Sequence, residues 1–255
     1  QPGLFSVYRT RYDAVVDMHS VPRSARMVAA SLARVRIGLR GRGPRNLAYN
    51  RLLPREKEAV YMAVQKLRML APLNVQTTAD LSLDLAISDA DRIHAAERWL
   101  AFGLIDHPVV AISPVARHAF KQWGAARWAA VADALAARGL RILITSGPGE
   151  REQARAVATA MKHEATWDFE PGTVHQLAAI YQRCMLWLGN DGGPKHIAAA
   201  AGTPTITVYR RRLGAVWSDP ADRNQIAINS GSDALDTVKP AQVIEAAQVF
   251  LAGRA

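Results

Sequence analysis

Three short segments gather residue types able to hold an anion and the groups beside it. The densest is Gly189-Asn190-Asp191-Gly192-Gly193-Pro194-Lys195-His196, followed by Ile197, four alanines and Gly202-Thr203-Pro204. It begins where an apolar strand-like run ends and a helical run opens. Gly192 and Gly193 let backbone N–H groups approach an anion closely. Pro194 suits a first helical turn, and a helix N-terminus favours negative charge. Asp191 and His196 belong to the same mouth. The pattern describes a diphosphate site flanked by a carboxylate and an imidazole. A structural Gly-Gly turn with a surface Asp and Lys has the same spacing.

The second segment, Ser113 to Trp123, again follows a strand-like run. Lys121 offers a compact ammonium to phosphate oxygens, and Arg117 a planar fork that clamps them in pairs. Trp123 and Trp128 read as packing for the loop. Solvated basic residues after an edge strand would look the same. The third, Thr145-Ser146-Gly147-Pro148-Gly149-Glu150, is a strand-to-helix turn that lacks the third glycine of a dinucleotide fingerprint. Glu150 could accept from ribose or sugar hydroxyls, or complement the helix dipole.

Other patterns carry less. Asp89-Ala90-Asp91 has the spacing of metal-dependent sugar-transfer sites, but Ser88 and Asp91 read as a capping box. The seven histidines show no metal-ligand spacing, and Cys184 lies in an apolar junction. No metal site and no cofactor are expected. A Gly-x-Ser-x-Gly elbow is absent, which removes a serine hydrolase.

The elements that must position these segments alternate regularly. Apolar runs at 109–113, 140–145, 185–188, 205–209 and 225–229 read as strands. A weak strand is expected at 165–167. Helical patterns fall at 88–102, 125–138, 150–162, 173–183, 194–201 and 240–251. Short apolar strands separated by helices indicate a parallel sheet covered on both faces. From residue 105 the chain therefore reads as a doubly wound nucleotide-binding domain. Upstream, strands are expected at 12–18 and 35–39, helices at 22–33 and 55–70, and a connection at 72–87. The domains predicted are 1–86 and 87–255.

Composition narrows the classes. The 255 residues carry a formal charge of +10 and are 49% hydrophobic, enough for a core without staples. One cysteine permits no intrachain disulfide and suits a reducing compartment. No apolar run reaches the ~18 residues of a membrane helix, and no signal peptide is visible. Residues 1–55 hold eleven Arg against Asp13 and Asp17, so +9 of the charge sits at one end. Nucleic acid, an anionic membrane surface or a polyanionic substrate would each suit such a patch. Nucleic acid calls for aromatics interleaved with the arginines, and the tyrosines there are only Tyr8, Tyr12 and Tyr49. No nucleic-acid partner is expected.

Taken together, residues 109–209 resemble the donor-binding domain of the ADP-heptose:lipopolysaccharide heptosyltransferases, glycosyltransferase family 9. The resemblance rests on Lys121-x-Trp123, on Ser146-Gly147-Pro148-Gly149-Glu150, and above all on Asn190 to Ala198 with Gly202-Thr203-Pro204. Arg11 to Met18, Arg36-Ile37-Gly38 and Tyr49-Asn50-Arg51 resemble the later half of the acceptor-side domain. The resemblance implies an α/β, GT-B-like fold of two Rossmann-like halves, the N-terminal one incomplete. It implies an inverting transfer of heptose from ADP-heptose to the lipopolysaccharide inner core, without metal. Lys121, Asp191 and His196 would be catalytic. Arg117, Glu150, Gly192, Gly193 and Pro194 would bind the donor.

Two departures accompany it. Ala116 and Arg117 stand where the family often has hydroxyl side chains. The family's opening strand and its Asp-bearing loop, proposed to supply the general base, have no counterpart ahead of Gln1, which is not Met. A truncated start is therefore expected, and Asp13 and Asp17 do not replace the base. The alternative is a catalytically impaired nucleotide-sugar-binding protein. The expected setting is the cytoplasm, with room for peripheral contact with an anionic inner membrane through the basic lobe.

Overall fold

The computed structural model describes residues 4–76, 80–168 and 172–253. Of the expected connection at 72–87, residues 77–79 lie outside the described residues. The chain divides into two units, Gln1–Leu81 and Ser82–Ala255.

The first unit contains α1 (Leu4–Thr10), β1 (Ala14–Asp17), α2 (Pro22–Ser31), β2 (Val35–Leu39), β3 (Arg51–Leu53) and α3 (Met62–Arg68). Its strands form a parallel sheet in the order β1-β2-β3, with Asp17 opposite Gly38 and Leu39 opposite Leu53. Ala25 and Val28 of α2 pack with Ala48 and Tyr49 to form a small core. A Cβ at Gly38 would stand 2.5 Å from the Tyr49 ring, so the glycine lets the ring lie flat on β2.

The helix expected over 55–70 forms only at Met62–Arg68. Residues 55–59 have no apolar stripe to bury, and tertiary contacts claim them instead. Arg55 donates to the Arg40 carbonyl at 2.9 Å, and Glu56 pairs with Arg68 at 2.6 Å.

The second unit runs α4 (Asp89–Ala101), β4 (Val109–Ser113), α5 (Ala125–Ala136), β5 (Arg141–Ile144), α6 (Arg151–Ala160), α7 (Val174–Tyr181) and β6 (Leu186–Asn190). It continues through α8 (Gly193–Ala200), β7 (Thr205–Tyr209), α9 (Gly214–Trp217), β8 (Gln225–Asn229) and α10 (Pro240–Ala252). All five strands are parallel, in the order β5-β4-β6-β7-β8.

Alternate residues of each strand serve opposite faces. Val110, Ile112, Leu186 and Leu188 meet Trp128, Val131, Val157 and Val243 on one side. Val109, Ala111 and Trp187 meet Trp99, Ile180 and Ala198 on the other. Each fully buried aliphatic side chain contributes about 1.5–3 kcal/mol. Both faces are apolar, which is why these strands read as unbroken apolar runs.

The expected caps form. Ser88 Oγ accepts from the Asp91 N–H at 3.2 Å, and Thr173 Oγ1 accepts from the Gln176 N–H at 3.2 Å. Asp91 is thus a helix-capping residue, and its bond from Ser88 holds its carboxyl below the usual range. The weak strand at 165–167 reduces to one bridge, in which Thr166 exchanges backbone bonds with Ile142 and Ile144.

Candidate functional site

Strand order reverses around β4: β5 lies on one side and β6 on the other. In such sheets the crevice at the carboxyl ends of the two diverging strands is the ordinary ligand position. Here the loops leaving β4 and β6 flank it. Gly189 lets the two strands close, since a Cβ there would stand 2.6 Å from the Ser113 carbonyl oxygen and 2.5 Å from the Trp187 ring.

Asn190, only 1% exposed, ties the loops together. Its Nδ2 donates to the Pro114 carbonyl at 2.5 Å. Its Oδ1 accepts from the Trp123 N–H at 3.2 Å and from the Trp128 indole N–H at 3.3 Å. The two indoles meet edge to face at 4.8 Å, and the Trp123 indole N–H donates to the Val238 carbonyl at 3.1 Å. Gln122 closes the loop on itself by donating to the Ala116 carbonyl at 3.0 Å. The loop that carries Lys121 is therefore fixed at both ends.

Lys121 Nζ lies 2.6 Å from Asp191 Oδ2. Asp191 is 8% exposed and Lys195 1%, so neither is a surface residue. The two lysines differ in kind. Lys195 Nζ donates to the Trp217 carbonyl at 2.7 Å and to Gln225 Oε1 at 2.6 Å, which anchors α8 to the segment entering β8. Burial lowers its ammonium to about 8, against the pull of Asp222, Asp191 and Asp219. Lys121 is half-buried and, among the described residues, has a single side-chain partner.

His196 stands on the first turn of α8, 5.9 Å from the Trp217 ring. Burial lowers its pKa to about 4, and Lys195 and Lys121 add to the effect while Asp191 opposes it. The imidazole is neutral at pH 7 and can donate or accept a hydrogen bond, but brings no charge. Gly192 and Gly193 open α8. A Cβ at Gly193 would meet nothing within 4 Å, and one at Gly192 only ordinary contacts. Gly192 is extended at φ −163°. The fold itself does not require glycine at either place, and Pro194 begins the turn as its fixed φ suits.

Arg117 and Glu150 stand apart from this cluster. Arg117 is exposed, and among the described residues nothing pairs with it. Glu150 folds back on its own turn, where its Oε2 accepts the Gly147 N–H at 3.0 Å. Beside that turn a concavity of about 700 Å³ opens at the carboxyl end of β5, lined by Ser146 to Gly149, His94 and Trp167. Arg151 pairs with Asp168 at its rim. Asn190 and Lys195 are the residues whose roles the sequence did not disclose. Their partners lie 62–76 and 22–30 positions away.

In the first unit the carboxyl end of β1 holds Asp17. Its Oδ2 accepts the Tyr49 hydroxyl at 2.6 Å, and its Oδ1 accepts the Ser20 and His19 N–H groups at 2.8 and 3.1 Å. Burial raises the carboxyl pKa, but donors from Tyr49, Ser24, Ser20 and His19 outweigh it and hold the group below its usual value. Among the described residues no three His, Cys, Asp or Glu side chains come together as a metal site. No described helix is long and apolar enough to cross a membrane.

The family model for glycosyltransferase family 9 (heptosyltransferase) matches residues 6–245. Lipopolysaccharide heptosyltransferase 3 of Escherichia coli strain K12 is 30% identical over 215 residues, covering 81% of this chain and 61% of that protein. The chain spans about half to three-fifths of the length of the curated relatives it matches, 49% to 61%. Among solved structures, a glycosyltransferase family 9 protein from Veillonella parvula superposes with a TM-score of 0.84 at 22% identity, over 98% of this chain and 78% of that one. The E. coli heptosyltransferase WaaC with ADP gives 0.66 at 19% identity, over 97% and 76%. These likenesses confirm the α/β fold of parallel sheets.

Proposed function

This chain belongs to glycosyltransferase family 9, the heptosyltransferases, and from that premise we propose that it transfers heptose from ADP-heptose to the inner core of lipopolysaccharide, with inversion at the anomeric carbon. The observation that carries the reading is the Lys121–Asp191 pair beside the open N-terminus of α8, in the crevice between β4 and β6. Relatives are named for heptose transfer to lipopolysaccharide, and WaaC was solved with ADP.

The diphosphate enters beside Gly192 and Gly193, which carry no side chains of their own to hold it off their backbone N–H groups. Lys121 exchanges its carboxylate partner for phosphate oxygens. Asp191, released from the ammonium, turns to hydroxyls of the donor sugar. Each group holds the other in place until the donor arrives, so neither is left as an unpaired charge in a half-buried site. Pro194 holds the helix start. The nucleoside occupies the concavity at the end of β5, with Glu150 at its edge and Trp167 as an apolar wall.

An acceptor hydroxyl oxygen then attacks the anomeric carbon from the face opposite the phosphate. The bond from that carbon to the phosphate oxygen breaks, ADP departs with its electron pair, and the hydroxyl proton passes to solvent water. Charge grows on the phosphate as this happens, so fixed N–H groups and an ammonium aimed there lower the barrier. His196, neutral, serves as a hydrogen-bonding group in the sugar-phosphate pocket. Arg117, exposed and unpaired among the described residues, reaches the diphosphate from outside by charge. No metal is part of this scheme. Asp17 is fully engaged by its own donors and is not the acceptor's base. The arginine-rich first unit meets the phosphorylated core and the anionic leaflet that carries it.

The test is a donor screen by thermal shift across ADP-, UDP- and GDP-sugars. ADP-heptose should stabilise the protein by about 2.7 kcal/mol at a hundredfold excess over Kd. Equal or absent responses to all three would remove the reading.

A further inference from the structure

We propose that Lys195 is a positioning residue of the donor site: without touching the donor, its buried ammonium is the standing counter-charge that lets Lys121 leave Asp191 for phosphate. This role rests on the donor reading for the identity of the anion, and on the side-chain cluster for the rest. Asp191 is buried, and Lys121 is its side-chain hydrogen-bond partner. Moving that ammonium onto phosphate takes from a buried carboxylate its paired charge, which is strongly unfavourable by itself. Lys195 supplies a second positive charge. It is buried on the first turn of α8, just beyond Asp191, and the two interact electrostatically.

Three carboxylates act on Lys195: Asp222, Asp191 and Asp219. Two of them have donors of their own. Asp222 Oδ1 accepts the Asn224 N–H and its Oδ2 the Gln225 amide, both at 2.9 Å. Asp219 Oδ1 accepts the Ala221 N–H at 2.9 Å. Asp191 is the one that the departure of Lys121 strips. Lys195 cannot follow Lys121 outward, because the Trp217 carbonyl and Gln225 Oε1 both hold its Nζ. Gln225 Oε1 also accepts the Asp219 N–H at 3.3 Å, and the Trp217 ring faces His196. One ammonium is fixed and the other stands on a loop at the mouth.

A pin between α8 and the segment entering β8 would need no charge. Burial lowers the Lys195 ammonium from 10.5 to about 8, although the three carboxylates pull the other way. Between those values the unfolded chain holds the proton and the folded chain does not, so stability rises with pH across that window. Keeping the charge at pH 7 therefore costs stability. A methionine of similar volume would fill the space without that cost. His196, the neighbour on α8, is neutral above about 4 and supplies no charge. Lys121 reaches the cluster from the loop after β4. A neutral Lys195 amine still has two N–H groups for Trp217 and Gln225, so raising the pH removes the charge and leaves the pin.

The test is a double-mutant cycle of Lys121→Ala and Lys195→Met, read as Tm without ligand at pH 7 and pH 9. At pH 7 the double variant should lose about 2–4 °C or more beyond the sum of the singles, since Asp191 then has neither ammonium. At pH 9 Lys195 has lost its proton and only packing remains, so that excess should shrink below about 1 °C. Calorimetric titration of ADP into the wild-type chain needs no variant to fold. Its affinity should fall by about tenfold from pH 7 to pH 9, because the arriving anion tightens the hold on the Lys195 proton. Lys195→Met should bind ADP more weakly at pH 7 and show no such fall. Asp222→Asn removes the largest pull on that proton, so its fall should begin at lower pH. Additive stabilities at pH 7, an excess undiminished at pH 9, or an equal fall in Lys195→Met would each overturn the role. A cycle that behaves as expected in a chain that binds no ADP would sink the donor reading and leave the counter-charge standing.

Discussion

Both units place an aspartate where a parallel strand ends, and the two are held in opposite ways. Asp17, closing β1, receives two backbone N–H groups and the Tyr49 hydroxyl. Asp191, just past β6, has one side-chain hydrogen-bond partner among the described residues, the flexible ammonium of Lys121. Fixed dipoles cannot leave when a ligand comes. An ammonium on a four-carbon stem can. The position at the carboxyl edge is thus shared, and on the proposed reading only the second exchanges its partner for a ligand. A buried carboxylate says little about function until its partners are known.

That contrast is tested most strongly by removing each group in turn. Lys121→Ala should lower turnover by about 10²–10³, the usual loss when one group aimed at a developing charge is removed. Asp191→Ala should reduce transfer more than it harms folding. Asp17→Asn should do the reverse, with about 1.5–3 kcal/mol lost in urea unfolding, as for a hydrogen bond to a charged group. Comparable loss of turnover in a folded Asp17→Asn protein would erase the distinction.

A pH series of unfolding sharpens it. The Asp17 carboxyl is held below its ordinary value of 3.8, so its contribution is complete above that pH and is lost as pH falls further. Tyr49 is raised from 10.0 to about 12 by burial and by Asp17. Its contribution is present below pH 10 and disappears as pH rises through about 12. Tyr49→Phe should shrink the alkaline limb to the part contributed by Tyr181, which burial also raises to about 12. His196, lowered from 6.5 to about 4, gives a third limb, with stability falling as pH drops through that window. His196→Gln should flatten it.

The smallest expected effect concerns glycines. Gly193→Ala should shift Tm by only about 1–2 °C, since nothing stands near its Cβ and alanine restricts the unfolded chain. Its ADP affinity should nevertheless fall. Gly189→Ala should destabilise clearly, because its Cβ would strike the Ser113 carbonyl. Equal stability of the two variants, by differential scanning calorimetry, would contradict the assignment of one glycine to the ligand and the other to the sheet.

The strand-to-helix turn at Asn190–Pro194 was legible because each step has a local cause: an apolar run, two glycines, a proline and a slim alanine helix. β2, β4, β7 and β8 fall at the limits their apolar runs suggest. What stayed hidden depends on distant partners. Spacing cannot say that Lys195 is tied to Trp217 and Gln225 while Lys121 meets Asp191. Nor can it show that Asn190 straps a loop beginning at Pro114. Glu150 looked free for a ligand, and its own turn engages one of its oxygens. β3, three residues before Pro54, is too short to announce itself.

Calorimetric titration of ADP into the wild-type chain, Lys121→Ala and Asp17→Asn tests the central claim most directly. ADP should bind Lys121→Ala about tenfold or more weakly, as for a lost charge-assisted contact, and bind folded Asp17→Asn with wild-type affinity. Unchanged affinity in Lys121→Ala, with its fold intact, would contradict the account.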